Sequence, residues 1–246
     1  MKVAVVSHRV TEIVEENVNT MTKYVKKAIQ QKADLVLFSE TATTGLCNID
    51  KPAHDLPLGS SIPGNVTQHF SNLARLGNIH IAFGLFERID NQLYDTAILL
   101  NRQGKIALKY QRISKGWHWP NSDPVVYREG IDIPLANLEI GKVCFLLCGD
   151  LFDESLVQRV ASIIPDLLLF PMARTIDDSP DPLEFWDKEE LPAYQEQVGK
   201  IGSVTLMTGY LDKEYVGGAS VFGKNGEILA KLPIKEEGIL FAEVSL

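Results

Sequence analysis

The sequence predicts a layered α/β protein with two mixed β-sheets. Short apolar runs alternate with segments in which apolar residues recur at helical spacing, a pattern typical of strands linked by helices. Other apolar runs are joined by short polar turns, which is typical of antiparallel hairpins. The 246 residues, 45% of them hydrophobic, can bury one large core. Because no internal repeat and no linker rich in Pro, Gly or Ser is visible, we predict one domain over residues 1–246.

The elements follow in order along the chain. Apolar runs predict strands at residues 2–7, 35–38, 79–86, 143–148, 167–170 and 203–210. Helical spacing predicts helices at 16–31, from Asn65 as N-cap to Gly77, at 153–163 with Asp153 as N-cap, and at 186–201, where Pro192 marks a start or a kink. Polar turns at 90–92 and 101–104 predict two hairpins, and runs at 218–223, 228–232 and 238–245 predict hairpins at the end of the chain.

Composition narrows the class of function. The formal net charge of −8 disfavours binding to nucleic acid or to anionic lipid. No run approaches the ~18–20 apolar residues of a membrane span, and residues 1–6 have the pattern of a strand rather than of a signal peptide. Three cysteines form no disulfide framework. These features together predict a cytoplasmic protein.

Two strand ends carry residues with chemical potential. Glu40 directly follows the apolar run 35–38, where desolvation would raise its pKa towards that of a useful base. The alternative for Glu40 is a solvated acid in a turn. Cys148 ends the run 143–148 on the same strand face as Cys144, and Gly149 after it leaves a backbone N–H free to stabilise an oxyanion. The alternative for Cys148 is a second structural thiol like Cys144.

A third segment, residues 105–115, is basic. Lys109, Arg112 and Lys115 recur along it and indicate either a cation that activates a thiol or an exposed edge strand protected by charge. Cys-Gly-Asp at 148–150 has no second cluster at zinc spacing, and His118 lacks a partner at ligand spacing, so no metal is predicted.

These segments together resemble the nitrilase superfamily of carbon–nitrogen hydrolases, over nearly the whole chain. The similar segments are 35–40 with Thr44-Gly45, 95–100, 104–106, 109–112, 141–150 with 152–154, 169–173 and 218–227. The resemblance implies a four-layer α-β-β-α sandwich and a homodimer or higher homo-oligomer. It also implies a Glu-Lys-Cys triad that hydrolyses a non-peptide carbon–nitrogen bond through a thioester, without a cofactor.

Two positions depart from the family pattern. The lysine position falls on Arg112, which keeps a positive charge but cannot give up a proton, so Lys115 beside Gly116 is the alternative cation. Gly149 stands where an aromatic residue is common. The resemblance therefore assigns catalysis to Glu40, Cys148 and either Arg112 or Lys115.

Substrate contacts are predicted at Gly149, at Trp117 and at one accessory acid, either Asp123 or Glu129. Further candidates for a pocket wall are Trp119, Phe185 and Trp186. Asp177, Asp178 and Asp181 are interpreted as a solvated loop. The expected function is hydrolysis of a small linear amide, ω-amide or N-carbamoyl compound. The alternatives are an impaired or specialised relative that binds a small molecule or protein partner, and a nitrile hydrolase.

Overall fold

The computed structural model describes residues 1–176 and 180–246 and contains two mixed β-sheets. In spatial order the first sheet contains β13 (Gly238–Glu243), β1 (Lys2–Ser7), β2 (Leu35–Leu37), β3 (His80–Ile89), β4 (Gln92–Leu100) and β5 (Ile106–Gln111), with β6 (Tyr127–Arg128) also paired to β4. The second contains β12 (Ile228–Leu232), β11 (Ala219–Phe222), β10 (Val204–Thr208), β9 (Leu167–Pro171), β8 (Gly141–Phe145) and β7 (Ala136–Leu138). The helices are α1 (Val14–Gln30), α2 (Pro52–Asp55), α3 (Asn65–Gly77), α4 (Glu154–Ile163), α5 (Pro182–Phe185) and α6 (Leu191–Ile201).

The side chains of β1 show how the layers stack. Val3 and Val5 belong to the core cluster that joins the two sheets, whereas Ala4 and Val6 belong to the cluster that includes residues of α1 and α3. This alternation is expected of a strand buried on both faces. Residues of α4 and α6 pack on the second sheet in the first of these clusters. The predicted α/β fold with two mixed sheets in one domain is confirmed.

Most element predictions are confirmed, and four need correction. Asn65 is the first residue of α3 rather than its cap, because Gly64 occupies the cap position and donates its N–H to the Thr67 hydroxyl at 2.7 Å. The last helix begins earlier than predicted, at α5, and passes through a π-helical turn at Trp186–Glu190 before α6. Asp153 does cap α4, accepting hydrogen bonds from two N–H groups of its first turn.

The other two corrections concern strands. The strand predicted at 143–148 ends at Phe145, so the expectation that Cys148 shares a face with Cys144 is wrong. The run 238–245 does not form a hairpin with β12, because β13 pairs antiparallel with β1 and so closes the first sheet. Within the described part of the chain, none of the helices is long and apolar enough to cross a membrane.

Candidate active site

Cys148 lies in a tight turn immediately after the second-sheet strand β8. Its φ of 45° is in the left-handed region, which a residue with a side chain adopts only when its surroundings enforce it. The Cys148 thiol donates a hydrogen bond to the Ala173 carbonyl at 3.3 Å, just beyond the end of β9. Because the side chain is only partly buried, its sulfur is accessible to a small reactant.

The carboxylate of Asp150 holds this turn in place. Its Oδ2 accepts hydrogen bonds from the Leu147 N–H at 2.9 Å and from the Tyr110 hydroxyl at 2.6 Å. Its Oδ1 accepts from the backbone N–H groups of Ile113 at 3.3 Å and Ser114 at 2.7 Å. Asp150 therefore joins the turn of Cys148 to the segment after β5, which carries the candidate cation.

Glu40 lies three residues beyond the end of the short strand β2, after Phe38 and Ser39, and its side chain is fully buried. Arg112 donates a hydrogen bond from Nη1 to Glu40 Oε1 at 2.9 Å. Burial, and next the nearby Cys148, raise the pKa of Glu40 to about 8, although Arg112 acts in the opposite direction. Glu40 can therefore accept a proton near neutral pH and give it up again, which general acid–base catalysis requires.

Each of the three nitrogens of the Arg112 guanidinium group donates a hydrogen bond. In addition to the bond to Glu40, Nε donates to the Ser114 hydroxyl at 3.0 Å and Nη2 donates to the Lys115 carbonyl at 3.3 Å. Although burial works against its charge, the neighbouring Glu40 and Cys148 hold the pKa of Arg112 above its ordinary value. Arg112 is thus a fixed positive charge rather than a proton donor.

A second buried carboxyl group completes this cluster. Asp95 on β4 is 1% exposed, and its Oδ2 lies 3.6 Å from Arg112 Nη1. Neither of its oxygens accepts a hydrogen bond from a residue in the described ranges. Burial, the charge of the neighbouring Glu40 and a hydrogen bond shared with Glu40 raise the pKa of Asp95 well above its ordinary value, so the protonated form of Asp95 is favoured in the folded protein.

The structure brings together some of the predicted site residues. Arg112, Glu40 and Cys148 converge, and Gly149 lies against the Arg112 guanidinium. The side chain of Lys115 is exposed, and only its carbonyl contacts Arg112, so the geometry favours Arg112 as the cation.

The other predicted substrate contacts lie in different surroundings. Trp117 is 3% exposed and packs in a core cluster with four other side chains, Phe86, Leu93, Val126 and Tyr127. Asp123 accepts the N–H of Val125 at 2.9 Å, and Oε1 of Glu129 lies within hydrogen-bond distance of His118 Nε2, at 2.9 Å. The roles assigned to Trp117, Asp123 and Glu129 in substrate binding stay predictions.

The remaining candidate residues in loops also differ in their surroundings. Trp186 is buried, whereas Trp119 and Phe185 are exposed. Asp181 caps α5 by accepting the N–H groups of Leu183 and Glu184. Asp177 and Asp178 lie outside the described residues. In the ranges 1–176 and 180–246, no group of three or more His, Cys, Asp or Glu side chains is placed to hold a metal ion.

Two residues of the site, Asp95 and Asp150, are not predicted from the sequence. Asp95 stands in the largely buried strand β4, where an aspartate is rarely buried unless it has a partner, and this is the signal that could have identified it. Asp150 stands out in the sequence only as a neighbour of Cys148. Its role depends on contacts with Tyr110 and Ser114, which are distant in sequence and leave no local signal.

A thiol in a constrained turn, beside a buried carboxyl group and a buried guanidinium, provides the groups needed for nucleophilic attack on a carbonyl-type carbon. Comparison with known proteins assigns the chain to a family of this kind. The family model for carbon–nitrogen hydrolases matches residues 2–246, so the chain belongs to the carbon–nitrogen hydrolase family.

Individual relatives are distant but cover most of the chain. A nitrilase from Pyrococcus abyssi is 22% identical over 237 residues, which are 94% of this chain and 84% of that protein. The omega-amidase NIT2-A of Xenopus laevis is 24% identical over an alignment of 264 residues that spans 100% of this chain and 88% of that protein.

Solved structures share the fold. A carbon–nitrogen hydrolase from Helicobacter pylori G27 has a TM-score of 0.85 at 20% identity, covering 98% of this chain and 88% of that one. The NitN amidase of Nesterenkonia sp. AN1 has a TM-score of 0.81 at 20% identity, covering 100% of this chain and 93% of that one. Family membership and these neighbours support a hydrolase.

Proposed function

We propose that this protein hydrolyses the carbon–nitrogen bond of a small linear amide, an ω-amide or an N-carbamoyl compound through a thioester on Cys148. The observation that carries the proposal is the buried 2.9 Å contact between Glu40 and Arg112, placed close enough to Cys148 that Cys148 contributes to raising the pKa of Glu40. A base and a fixed cation beside an accessible thiol are the minimum that acyl transfer to cysteine requires.

The first half of the reaction forms the thioester. Glu40 takes the proton of the Cys148 thiol, and the sulfur attacks the amide carbon to give a tetrahedral intermediate. The backbone N–H of Gly149 and the Arg112 guanidinium stabilise the negative oxygen. Glu40 returns the proton to the leaving nitrogen, the carbon–nitrogen bond breaks, and ammonia or an amine departs.

The second half releases the acid. Glu40 removes a proton from water, and the resulting hydroxide attacks the thioester carbon. The tetrahedral intermediate collapses, the carbon–sulfur bond breaks, and the proton on Glu40 returns to the Cys148 sulfur. Every proton passes through Glu40, so the sequence of steps needs no proton from Arg112, whose charge is fixed.

The relatives support a cysteine and amides as reactants. The amidase from Nesterenkonia sp. AN1 is described with the acetamide moiety of fluoroacetamide added covalently at its active-site cysteine. The frog relative is named an omega-amidase. Within the substrate classes proposed here, simple primary amides and ω-amides are therefore the first to test.

The deciding experiment compares Cys148→Ala with the wild type in ammonia release from a panel of aliphatic amides, ω-amides and N-carbamoyl amino acids. We expect Cys148→Ala to lose activity by a factor of about 10⁴ or more while remaining folded by circular dichroism, because no other group can form the thioester. Cys47→Ala, which changes the other partly exposed thiol, is the matched control and should keep wild-type activity. Undiminished ammonia release by Cys148→Ala would contradict the mechanism.

One observation favours a second candidate, a specialised relative that binds without turnover. Arg112 occupies the position of the family's lysine, and its fixed charge rules out proton transfer through that residue. If the panel gives no turnover with wild type but Arg112→Lys releases ammonia, the binding function is the better account.

Nitrile hydrolysis, suggested by the name of the Pyrococcus relative, is tested by adding aliphatic nitriles to the same panel.

A further inference from the structure

The two departures from the family pattern, at residues 112 and 149, touch each other. A Cβ atom built on Gly149 would lie 2.7 Å from Arg112 Nη2 and 3.1 Å from the Ser114 hydroxyl oxygen. Non-bonded carbon and nitrogen atoms do not approach to 2.7 Å without displacement. The space that a side chain at residue 149 would occupy is therefore filled by one arm of the Arg112 guanidinium.

The guanidinium has little freedom to move away. It is buried, and each of its three nitrogens has a partner: Glu40 for Nη1, the Ser114 hydroxyl for Nε and the Lys115 carbonyl for Nη2. The guanidinium is planar, so a shift of Nη2 also turns Nη1 and Nε. A side chain at residue 149 would then weaken the contact with Glu40, because all three bonds depend on one orientation of the plane.

A lysine at position 112 would not meet this obstacle. Its side chain ends in a single ammonium group on a flexible stem and has no second arm that must fit beside residue 149. The identity of residue 149 is consequently restricted by the shape of the cation at 112, and not by the turn alone.

We propose that Gly149 is a positioning residue for Arg112: the absence of a side chain at 149 lets an arginine occupy the cation position next to Glu40 and Cys148. The two residues form a matched pair, so that a side chain at 149 is tolerated only when the cation is a lysine. This inference deepens the proposed function and rests on it for the role of Arg112 in activating the Cys148 thiol.

The test is a cycle of four proteins: wild type, Gly149→Ala, Arg112→Lys and the double variant. The measured quantity is the rate of Cys148 alkylation by iodoacetamide at pH 7, followed by mass spectrometry of the Cys148 peptide. We expect Gly149→Ala to slow alkylation about 10- to 100-fold, because a displacement of about 1 Å in a reactive site has effects of this size. In the Arg112→Lys background the same change should alter the rate by less than about threefold, because the added Cβ then meets no guanidinium arm. This difference between the two backgrounds is the non-additivity expected of residues in contact.

Two further measurements separate the possible causes. The hydroxyl of Ser114 also lies near the added Cβ, so Gly149→Ala is repeated in a Ser114→Ala background. Relief of the defect by Ser114→Ala but not by Arg112→Lys would overturn the proposal, since the glycine would then make room for the serine. If Gly149→Ala alone fails to fold, thermal melts of the double variant decide the question: restored folding supports the matched pair, and continued unfolding contradicts it.

An equal loss in both backgrounds would also overturn the proposal, because residue 149 would then require glycine for its backbone. A wild-type alkylation rate in Gly149→Ala would do the same. These outcomes differ from a failure of the proposed function. Alkylation of Cys148 needs no turnover, so the coupling can be present in a protein that releases no ammonia, and it can be absent from an active amidase.

Discussion

The chain contains two similar halves, residues 2–112 and residues 142–234. Their strands pair in corresponding registers, but different side chains lie at the ends of the strands. In the first, Val3 of β1 lies opposite Leu35 of β2, and in the second, Val143 of β8 lies opposite Leu167 of β9. In each half two antiparallel strands follow the parallel strands. These are β4 and β5 after β3 in the first half, and β11 and β12 after β10 in the second. The sheets are structural repeats, although no repeat is visible in the sequence.

Small details of the repeat also coincide. The N–H of Lys2 donates to Asp34 at 2.8 Å, and the N–H of Lys142 donates to Asp166 at 2.8 Å, so an aspartate fixes the start of each parallel pair. A register shift occurs between Leu99 and Leu100 in one half and between residues 221 and 222 in the other. Neither feature involves the site, so the repeat reflects the scaffold.

The halves differ at the strand ends. The 140-residue offset that aligns Val3 with Val143 places His8 at the position of Cys148. Each side chain bonds a backbone carbonyl beyond the end of the neighbouring strand, that of Ala42 and that of Ala173, at 3.3 Å. Burial lowers the pKa of His8 to about 4, so its ring is uncharged at neutral pH. The same strand end thus carries an uncharged imidazole in one half and a thiol in the other.

The cation position shows the same contrast. The 122-residue offset that aligns Lys109 of β5 with Lys231 of β12 places Ile234 at the position of Arg112. Ile234 is 2% exposed and belongs to the core. The first half carries the charged side chains Glu40 and Arg112, and the second half carries the Cys148 thiol. The scaffold therefore has two equivalent positions for functional groups, and the side chains of both halves combine in one candidate site.

The sharpest way to break this comparison is to place a thiol at the corresponding strand end of the first half with His8→Cys. We expect the new thiol to react with iodoacetamide at least about 100-fold more slowly than Cys148 in the same protein, since it is fully buried and the Glu40–Arg112 pair faces Cys148. Mass spectrometry of both peptides at pH 7 gives the ratio internally. Comparable rates would show that the strand end alone activates a thiol and that the charges are dispensable.

The second prediction concerns the charges of the first half and uses Asp95→Asn. The raised pKa of Asp95 means that the folded protein keeps a proton that the unfolded chain loses above about pH 4, so this group stabilises the fold less as pH rises. Asparagine does not ionise. We therefore expect the free energy of unfolding of Asp95→Asn, relative to wild type, to increase as the pH rises from 5 towards neutrality, at a rate of up to about 1.4 kcal/mol per pH unit.

Urea unfolding at several pH values measures this difference. Asp166→Asn is the matched control from the second half, because that carboxylate binds a backbone N–H near the surface rather than a second acid. Parallel pH curves for Asp95→Asn and wild type would mean that Asp95 is ionised in the folded protein.

The sequence predicted the fold well because hydrophobic periodicity is local. The runs at 35–38 and 167–170 identified β2 and β9 directly, and the family resemblance placed Glu40, Arg112 and Cys148 at their strand ends. Local pattern failed where the outcome depends on distant partners. The pairing of β13 with β1 is one such case, since the run 238–245 has the same alternation whichever sheet it joins.

The close approach of Arg112 to Gly149 and the burial of Asp95 also depend on distant parts of the chain, so the sequence does not predict them. Each depends on a distance between side chains from different strands, and the sequence fixes the residue types but not those distances. A buried acid on β4 and a glycine after Cys148 become informative only once the strands are aligned in space.

The smallest expected effect tests the repeat itself. Gly104 and Gly226 occupy the same place in the hairpins β4–β5 and β11–β12, with φ of 73° and 81°, and a Cβ on either would meet a backbone carbonyl oxygen, of Ser71 and of Gln195 respectively. Substituting each by alanine should lower the free energy of unfolding by about 1 to 2 kcal/mol, with a difference between the two of less than about 0.5 kcal/mol. Gly202→Ala, at φ 76° with open space around it, isolates the backbone cost and should lie below both. Unequal losses at Gly104 and Gly226 in urea unfolding would show that the two sheets differ in how firmly they hold the same turn, and that the geometric repeat is not an energetic one.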